Sequence, residues 1–267
     1  MQNQLSMQVL ISTMNQKNYS LLDRMNIQSD AVVVNQCDRD GVEEFQYKTY
    51  KILWISMSKR GIGLSRNTAL FNATADIVLF ADDDIVYGDG YEQEVISAFQ
   101  HENQSDLICF NINLINSNKN IGTHRNNKKN KQLNMFNSMR YGATLIAVRR
   151  KSIIRERISF SLLFGGGAIF SCGEDSLFIR DCFKCNLKVF SNVYCLGDVD
   201  DSNSSWFKGI NEKFFIDKGM IYYLMFKNYH FLIFLYYAFK LSKNTDYNLL
   251  KIFKLFCQGK AKIKEYR

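Results

Sequence analysis

Three consecutive aspartates are the residues of this chain best suited to chemistry. Asp82, Asp83 and Asp84 follow residues 76–81, which are apolar from Ile77 onward, and this pattern predicts a buried strand ending at a ligand-binding crevice. Three adjacent carboxylates repel one another unless a divalent cation that prefers oxygen ligands lies among them. The spacing predicts a metal site made by Asp82 and Asp84, although a solvated acidic turn without a ligand also fits it.

A second acidic pair follows a glycine-rich segment. Residues 165–167 are all glycine, which permits a sharp turn or a close approach of the backbone to a ligand. Gly173 then leads into Glu174 and Asp175 at the predicted start of an amphipathic helix. Acids at this position stabilise a helix dipole in any protein. Near a metal-bound phosphate, one of them could also act as the general base that activates a hydroxyl group.

An arginine that could bind a nucleotide precedes both acidic segments in the chain. Residues 61–72 supply a glycine turn, Ser65 as the expected N-cap, and a helix with Arg66 in its first turn. Arg66 could face a nucleotide together with free backbone N–H groups, or it could be an ordinary surface arginine. The two glycines of this turn are no dinucleotide fingerprint, because the third glycine is missing.

Strands and helices alternate along the segments that must position these residues. Strands are predicted at 7–12, 31–34, 50–55, 76–81 and 106–113, and helices at 21–26, 61–72 and 91–100. This order predicts an α/β fold, a Rossmann-type sandwich with a mostly parallel central sheet and helices on both faces. The 267 residues allow one large domain with a C-terminal appendage.

Charge and cysteine usage narrow the possible partners and the compartment. A net charge of +8 favours an anionic partner, which could be nucleic acid, a phosphorylated small molecule or an acidic membrane. The seven cysteines show no disulfide framework, and no leader precedes the first strand, so the reducing cytoplasm is expected. Cys182 and Cys185 lack a second pair for zinc and are predicted to be buried thiols on a helix.

Two further segments have open interpretations. The polar residues 116–132 predict a mobile loop, either a solvated insertion or an arm that steers anions. Residues 221–239 are rich in aromatic and aliphatic side chains but are interrupted, and the longest apolar run is too short to span a bilayer. Lysines between 240 and 264 alternate with apolar residues. They predict a helix lying on an anionic membrane, or a packed helix pair with a solvated basic face.

The order of these segments resembles the family 2 glycosyltransferases with the GT-A fold. The similarity covers about residues 8–219 and is carried by four pieces: 9–13 (VLIST), 63–70 (GLSRNTAL), 80–84 (FADDD) and 173–175 (GED). Residues 205–219 are similar to a segment of bacterial surface-polysaccharide members. The resemblance implies a GT-A-like catalytic domain over residues 1–219. This leaves residues 220–267 as a basic, aromatic helical segment, for which association with a membrane is one of the two interpretations given above.

The resemblance also implies a reaction and its residues. A sugar would pass with inversion from a nucleotide-diphosphate donor, with Mn²⁺ or Mg²⁺ as the cofactor. The implied residues are Asp175 as the base beside Glu174, Asp84 and Asp82 at the metal, and Thr13, Arg66, Asp82 and Asp83 around the nucleotide sugar.

Two departures from the family pattern concern the nucleobase and the metal. The acid that usually follows the second strand is replaced by Asn35 and Gln36, with Asp38 slightly later. An amide offers uracil both a donor and an acceptor, so a uridine donor is still expected. The late histidine that many relatives supply to the metal is also missing, and Asp198 or Asp200 is the expected third ligand.

These inferences predict a cytoplasmic enzyme on the inner face of the plasma membrane. Its acceptor would be a glycan or a lipid-linked oligosaccharide in bacterial surface-polysaccharide synthesis, and nucleic acid would not be a partner. A catalytically silent sugar-nucleotide-binding or membrane-associated scaffold, and a basic nucleic-acid-binding protein, are the alternatives. A nucleotidyltransferase is disfavoured, because the first strand is not followed by a glycine-rich loop.

Overall fold

The computed structural model describes residues 5–115, 126–200 and 210–266. The strands are β1 Met7–Met14, β2 Asp30–Gln36, β3 Gly41–Tyr47, β4 Tyr50–Met57, β5 Ile77–Asp82, β6 Ile85–Tyr87, β7 Leu107–Ile115, β8 Lys131–Gln132, β9 Ile146–Arg149 and β10 Val189–Asp200. The helices are α1 Leu21–Arg24, α2 Ile62–Asn72, α3 Tyr91–His101, α4 Met135–Ser138, α5 Arg150–Arg155, α6 Glu174–Lys184, α7 Glu212–Met225, α8 His230–Ser242 and α9 Leu249–Glu265.

One mixed sheet organises most of the described chain. Its strand order is β3-β4-β2-β1-β5-β9-β7-β10-β6, with β8 paired to β10. β4, β2, β1 and β5 are mutually parallel, and β7 is parallel to β10, whereas β3, β6, β8 and β9 run antiparallel to their neighbours. The sheet is therefore mostly parallel, and the α/β architecture expected from the sequence is confirmed.

The central strands are long apolar runs because both of their faces are covered. β1, β2 and β5 are buried along almost their whole length, as is usual for parallel strands. The parallel register places Thr13 beside Asn35 and Ser12 beside Asp82. The carboxyl ends of these three strands consequently meet at one edge of the sheet, where the candidate site is built.

A second apolar cluster lies in the C-terminal helices. α7, α8 and α9 enclose large side chains, among them Phe215, Phe234 and Phe256, and Phe164, Phe170 and Leu177 join them from the preceding segment. A Cβ on Gly259 of α9 would approach the backbone oxygen of Ile216 to 2.1 Å, so only glycine permits this close crossing of α7 and α9. The predicted boundary at residue 219 falls inside α7.

The structure bears on three other expectations. Cys182 is a buried free thiol on α6, and Cys185 is a half-buried free thiol just after it. Residues 116–125 of the predicted loop and 205–209 of the polysaccharide-type segment lie outside the described residues. Within the described ranges, no helix is both long enough and apolar enough to cross a membrane.

Candidate active site

A cavity of about 690 Å³ opens at the carboxyl edge of β1, β2 and β5. Its walls come from strand ends, from the start of α2 and from the segment that leads into α6. The lining residues are Ser12, Thr13, Met14, Gln36, Arg60, Gly61, Ile62, Arg66, Asp82, Asp83, Asp84, Gly166, Gly167, Ser171, Cys172, Gly173, Glu174 and Asp175. Both acidic segments singled out in the sequence thus face one space.

Arg66 lies at the centre of this arrangement. Its side chain is only 4% exposed and makes three ion pairs. Nη1 donates to Glu174 at 2.9 Å and to Asp175 at 2.8 Å, while Nη2 donates to both carboxylate oxygens of Asp82 at 3.0 and 3.2 Å. One guanidinium therefore joins α2, the end of β5 and the start of α6. Arg66 is therefore not a surface arginine, and its guanidinium contacts protein carboxylates as well as the cavity.

The position of Arg66 follows from the way α2 begins. Gly61 is the N-cap residue and Ile62 starts the helix, so the predicted N-cap role of Ser65 is wrong. Ser65 instead lies buried within the first turn and donates to the hydroxyl of Ser12 on β1, at 2.9 Å. This bond fixes α2 against the sheet. Arg66, one residue later, is thereby held over the carboxyl end of β5.

The start of α6 places the second acidic pair. Gly173 is the N-cap with φ of +110°, a conformation that favours glycine. An added Cβ there would lie 2.5 Å from the Ile221 side chain of α7, so space also demands glycine. Glu174 is buried and Asp175 half-buried as the first two helical residues. α7 thus forms the wall behind the turn that aims both acids at Arg66.

The electrostatics of the cluster are unbalanced, because three carboxylates surround one guanidinium. Burial lowers the pKa of Arg66, but attraction to Asp82, Asp175 and Glu174 outweighs this effect and raises it. Burial raises the pKa of Asp175 to about 8, and the neighbouring Glu174 carboxylate adds to the rise although Arg66 opposes it. A carboxyl group with this pKa can accept or release a proton near neutral pH.

The other two aspartates of the triplet differ from Asp82. Asp83 accepts a hydrogen bond from the Thr13 hydroxyl at 2.5 Å, and Gln16 donates to the same hydroxyl oxygen at 2.8 Å. Asp83 thereby links the ends of β1 and β5 at the cavity wall. Asp84 is exposed and lies just before β6. Of the three, Asp82 is the one whose two oxygens are both engaged by Arg66.

The residues predicted around the nucleobase are separated by the structure. Gln36 lines the cavity, and its side-chain oxygen accepts from the backbone N–H of Gly61 at 2.6 Å. Asn35 is buried and bonds to both backbone groups of Gln16, each at 3.0 Å, so its amide stabilises the β1–α1 loop. Asp38 is exposed and does not line the cavity.

The donor set for a metal is made of carboxylates. Within residues 5–115, 126–200 and 210–266, no group of three or more His, Cys, Asp or Glu side chains is arranged to hold a metal ion. A hard cation such as Mg²⁺ needs only one or two protein carboxylates when phosphate oxygens and water complete its shell. Asp84 fits that requirement, whereas Asp82 would have to share its oxygens with Arg66.

The two candidates for a third metal ligand are distinguished by strand register. β6 pairs antiparallel with β10, and Ile85 lies opposite Val199. This is the last pair of the ladder, and Asp84, in the turn before β6, and Asp200, at the end of β10, are the residues next to it. Asp198 pairs with Val86, two positions farther along β6, and accepts a hydrogen bond from Asn113 at 3.0 Å. Asp200 is therefore the better placed of the two.

Several lining residues were not identified from the sequence. Arg60 donates to the backbone oxygen of Gln36 at 2.8 Å and adds a second guanidinium to the cavity wall. Ser171 donates to the buried Asp217 of α7 at 2.6 Å, and Lys213 donates to the same carboxylate oxygen at 2.5 Å. A polar residue in a loop carries no periodic signal, so only the glycines beside these residues could have indicated the segment.

Comparison with known proteins adds a family and a fold. A family model described as glycosyl transferase family 2 matches residues 18–158. Among solved structures, residues 1–349 of TarS from S. aureus match with a TM-score of 0.59 and 17% identity, over 82% of this chain and 65% of that one. The same fragment in complex with UDP-GlcNAc matches with a TM-score of 0.59 and 16% identity, over 82% of this chain and 66% of the fragment. No curated protein matches the sequence.

The structural likeness concerns the fold. At 17% identity, a TM-score of 0.59 indicates a shared architecture, and the expected GT-A-like fold is confirmed. The chain spans 65% of the length of the TarS fragment.

Removing the charge of Arg66 tests whether the cluster depends on it. We expect Arg66→Met to lower the free energy of unfolding by about 3 kcal/mol, because buried carboxylates lose their counter-ion. Urea denaturation at neutral pH measures this change.

Arg155→Met is the matched control, since Arg155 forms an exposed ion pair with Glu156. Exposed pairs contribute little, so this variant should unfold like the parent protein. Equal stability of the two variants at neutral pH would contradict the role given to Arg66.

Proposed function

The chain belongs to glycosyl transferase family 2, and on this premise we propose that it is an inverting, metal-dependent glycosyltransferase that uses a nucleotide-diphosphate sugar. The observation that carries the proposal is the cavity in which Arg66 gathers Asp82, Glu174 and Asp175 at the carboxyl edge of the sheet. A uridine donor is preferred, since the TarS fragment of similar fold was crystallised with UDP and with UDP-GlcNAc.

Asp175 is the proposed general base. The acceptor hydroxyl oxygen attacks the anomeric carbon, its proton passes to the Asp175 carboxylate, and the bond from that carbon to the diphosphate oxygen breaks. Arg66 supports this role by holding Asp175 at 2.8 Å through Nη1. Glu174 raises the proton affinity of Asp175, so that the base can take a proton near neutral pH. Attack from the side opposite the leaving group inverts the anomeric centre.

Charge balance supports the need for a cation. Five carboxylates line the cavity, on Asp82, Asp83, Asp84, Glu174 and Asp175, against the two guanidiniums of Arg60 and Arg66. A diphosphate would be repelled by this surplus of negative charge. Asp84, with Asp200 beside the end of the β6–β10 ladder, would hold Mn²⁺ or Mg²⁺, which would supply charge neutralisation for the leaving diphosphate. Asp82 is then assigned to positioning Arg66.

The nucleoside end of the donor is assigned to the strand ends on the other side of the cavity. Thr13, Gln36 and Arg60 line that region, and Asp83 anchors Thr13. Gln36 replaces Asn35 and Asp38 as the proposed nucleobase contact, because it alone of these three faces the cavity. The carbonyl oxygens of uracil accept hydrogen bonds and its N3–H group donates one, so a glutamine side chain, with an NH₂ donor and a carbonyl acceptor, suits it.

The proposal includes an acceptor and a location. We assign a glycan or lipid-linked oligosaccharide acceptor in surface-polysaccharide synthesis, and a peripheral position on the inner face of the plasma membrane. The basic and aromatic C-terminal helices support this assignment.

Replacement of the proposed base separates a working enzyme from a silent sugar-nucleotide-binding scaffold. We expect Asp175→Asn to lower kcat for sugar transfer or donor hydrolysis by about 10²–10⁴-fold while UDP binding is retained, because the amide cannot accept the proton. Initial rates of UDP release and calorimetric titration with UDP measure the two effects.

Asp181→Asn is the matched control on the same helix, where Asp181 pairs with Arg180 outside the cavity. This control should keep the parent rate. Parent-like turnover by the Asp175 variant would exclude the proposed base.

The raised pKa of Asp175 makes a pH prediction. The base must be deprotonated, so kcat/KM should fall by about tenfold for each pH unit below the pKa of about 8 and level off above it. A pH profile of kcat/KM measures this limb. The residual activity of Asp175→Asn should not show this acidic fall. If kcat/KM of the variant still falls below the same pH, the titrating group is not Asp175.

Asp84 is expected to carry the metal dependence. We predict that Mn²⁺ strengthens UDP binding by the parent protein and that Asp84→Asn loses most of this gain, because one oxygen ligand is removed. Calorimetric titrations of UDP with and without Mn²⁺ measure the gain. Asp200→Asn should lose part of it and Asp198→Asn none, and Asp89→Asn, an exposed acid outside the cavity, is the control. If Mn²⁺ strengthens UDP binding by the Asp84 variant as much as by the parent protein, Asp84 is not the metal ligand.

A further inference from the structure

The outer face of α8 is an exposed apolar stripe. Six of the twenty exposed large apolar side chains of the described residues lie within the eleven positions 229–239, each between 49% and 66% exposed. They are Tyr229, Phe231, Leu232, Leu235, Tyr236 and Phe239. Their spacing of three and four residues places them on one side of the helix, a region that we call the α8 face. Exposed apolar patches of this kind mark interaction surfaces.

The opposite side of α8 already has its partners. His230, Phe234 and Ala238 are buried in the C-terminal cluster, with Phe234 against Phe256 of α9. α9 in turn buries its apolar side in the same cluster, and all of its lysines except the half-buried Lys260 are exposed. The structure therefore favours the packed interpretation for α9, which the sequence had left open. The unpartnered apolar surface belongs to α8.

Positive charge borders the α8 face. No Asp, Glu, Lys or Arg occurs between Tyr229 and Phe239, and lysines lie immediately outside the stripe. The Lys260 ammonium lies 4.7 Å from the centre of the Phe231 ring, and the Lys243 ammonium lies 4.1 Å from that of Phe239. Residues 218–264 contain one acid, Asp246, and nine lysines: Lys218, Lys227, Lys240, Lys243, Lys251, Lys254, Lys260, Lys262 and Lys264.

This combination fits an anionic bilayer better than a second copy of the chain. Aromatic rings and aliphatic side chains insert at the headgroup level, while lysine ammoniums attract anionic lipid headgroups. Two copies joined through the α8 face would bring their bordering lysines together, which like-charge repulsion disfavours. The 13 residues of α8 span only about 20 Å, less than the bilayer core, so the helix would lie in the plane of the surface.

We propose that the α8 face is a membrane-docking surface that inserts its six apolar side chains into an anionic lipid leaflet. The proposal rests on the peripheral location proposed above and assigns it to a defined surface. Docking needs no donor, metal or catalytic acid. Its test can therefore fail while sugar transfer succeeds, and the reverse also holds.

Vesicle flotation of the full chain tests the proposal. The probe is vesicles of equal parts phosphatidylglycerol and phosphatidylcholine, compared with phosphatidylcholine alone. The protein should float with the anionic vesicles, and Leu232→Ser/Tyr236→Ser/Phe239→Ser should reduce the bound fraction by about tenfold or more. Lys240→Gln/Lys243→Gln should weaken binding at low salt and much less at high salt.

The matched control is Val42→Ser/Phe71→Ser, which removes two side chains that are 67% and 60% exposed outside α8. Circular dichroism and UDP binding establish that each variant is folded, independently of lipid. The proposal is supported if the control variant floats with anionic vesicles as the parent protein does and the α8 variant does not. Absence of flotation by the parent, or equal flotation of the α8 variant, overturns it. If the parent protein binds no vesicles and is a dimer that the α8 substitutions convert to a monomer, the proposal is overturned in favour of a second copy of the chain.

Discussion

The structure of the site depends on the burial of one guanidinium among three carboxylates. Arg66 joins Asp82, at the end of β5, to Glu174 and Asp175, which follow Arg66 by more than a hundred residues along the chain. Three acids could not lie so close together in a half-buried cavity without this counter-ion, because burial and mutual repulsion would force them to take up protons. The same interaction fixes where α6 must begin relative to the sheet, since Glu174 and Asp175 are its first residues.

The local charge of the cavity is opposite to the net charge of the chain. The +8 total suggests an anion-binding surface, yet the cavity wall carries five carboxylates and two guanidiniums. The surplus of lysine is concentrated in the C-terminal helices. The net charge therefore predicted an anionic partner but not the part of the surface that would bind it. In the proposed function the two regions meet different anions, a diphosphate that reaches the acidic cavity through a cation and lipid headgroups that meet the lysines directly.

Sequence patterns predicted the elements whose apolar runs are continuous and missed those whose burial is uneven. β1, β2, β4, β5 and β7 were recognised, whereas β3 is an edge strand exposed along most of its length, β6 has three residues, and β10 is interrupted by register shifts. Both acidic segments and Arg66 were predicted as candidate site residues, and the structure places them around one cavity. Their ion pairs were not predicted, because an ion pair between distant segments depends on tertiary packing. Ser65 resembled a helix cap, but Gly61 begins the helix one turn earlier.

The C-terminal helices α7, α8 and α9 form a layer that connects the acids proposed for catalysis with the surface assigned to lipid. α7 presses Ile221 against Gly173, the residue that starts α6, and the other sides of α7 pack against α8 and α9. The layer is therefore more than an appendage, because its innermost helix forms the wall behind the proposed base. In the proposed arrangement a bilayer contacting α8 meets a rigid cluster of aromatic side chains that leads, through α7, to the start of α6. An enzyme whose acceptor is held in a membrane needs such a fixed relation between its docking surface and its base, since the acceptor hydroxyl must reach Asp175 within hydrogen-bonding distance.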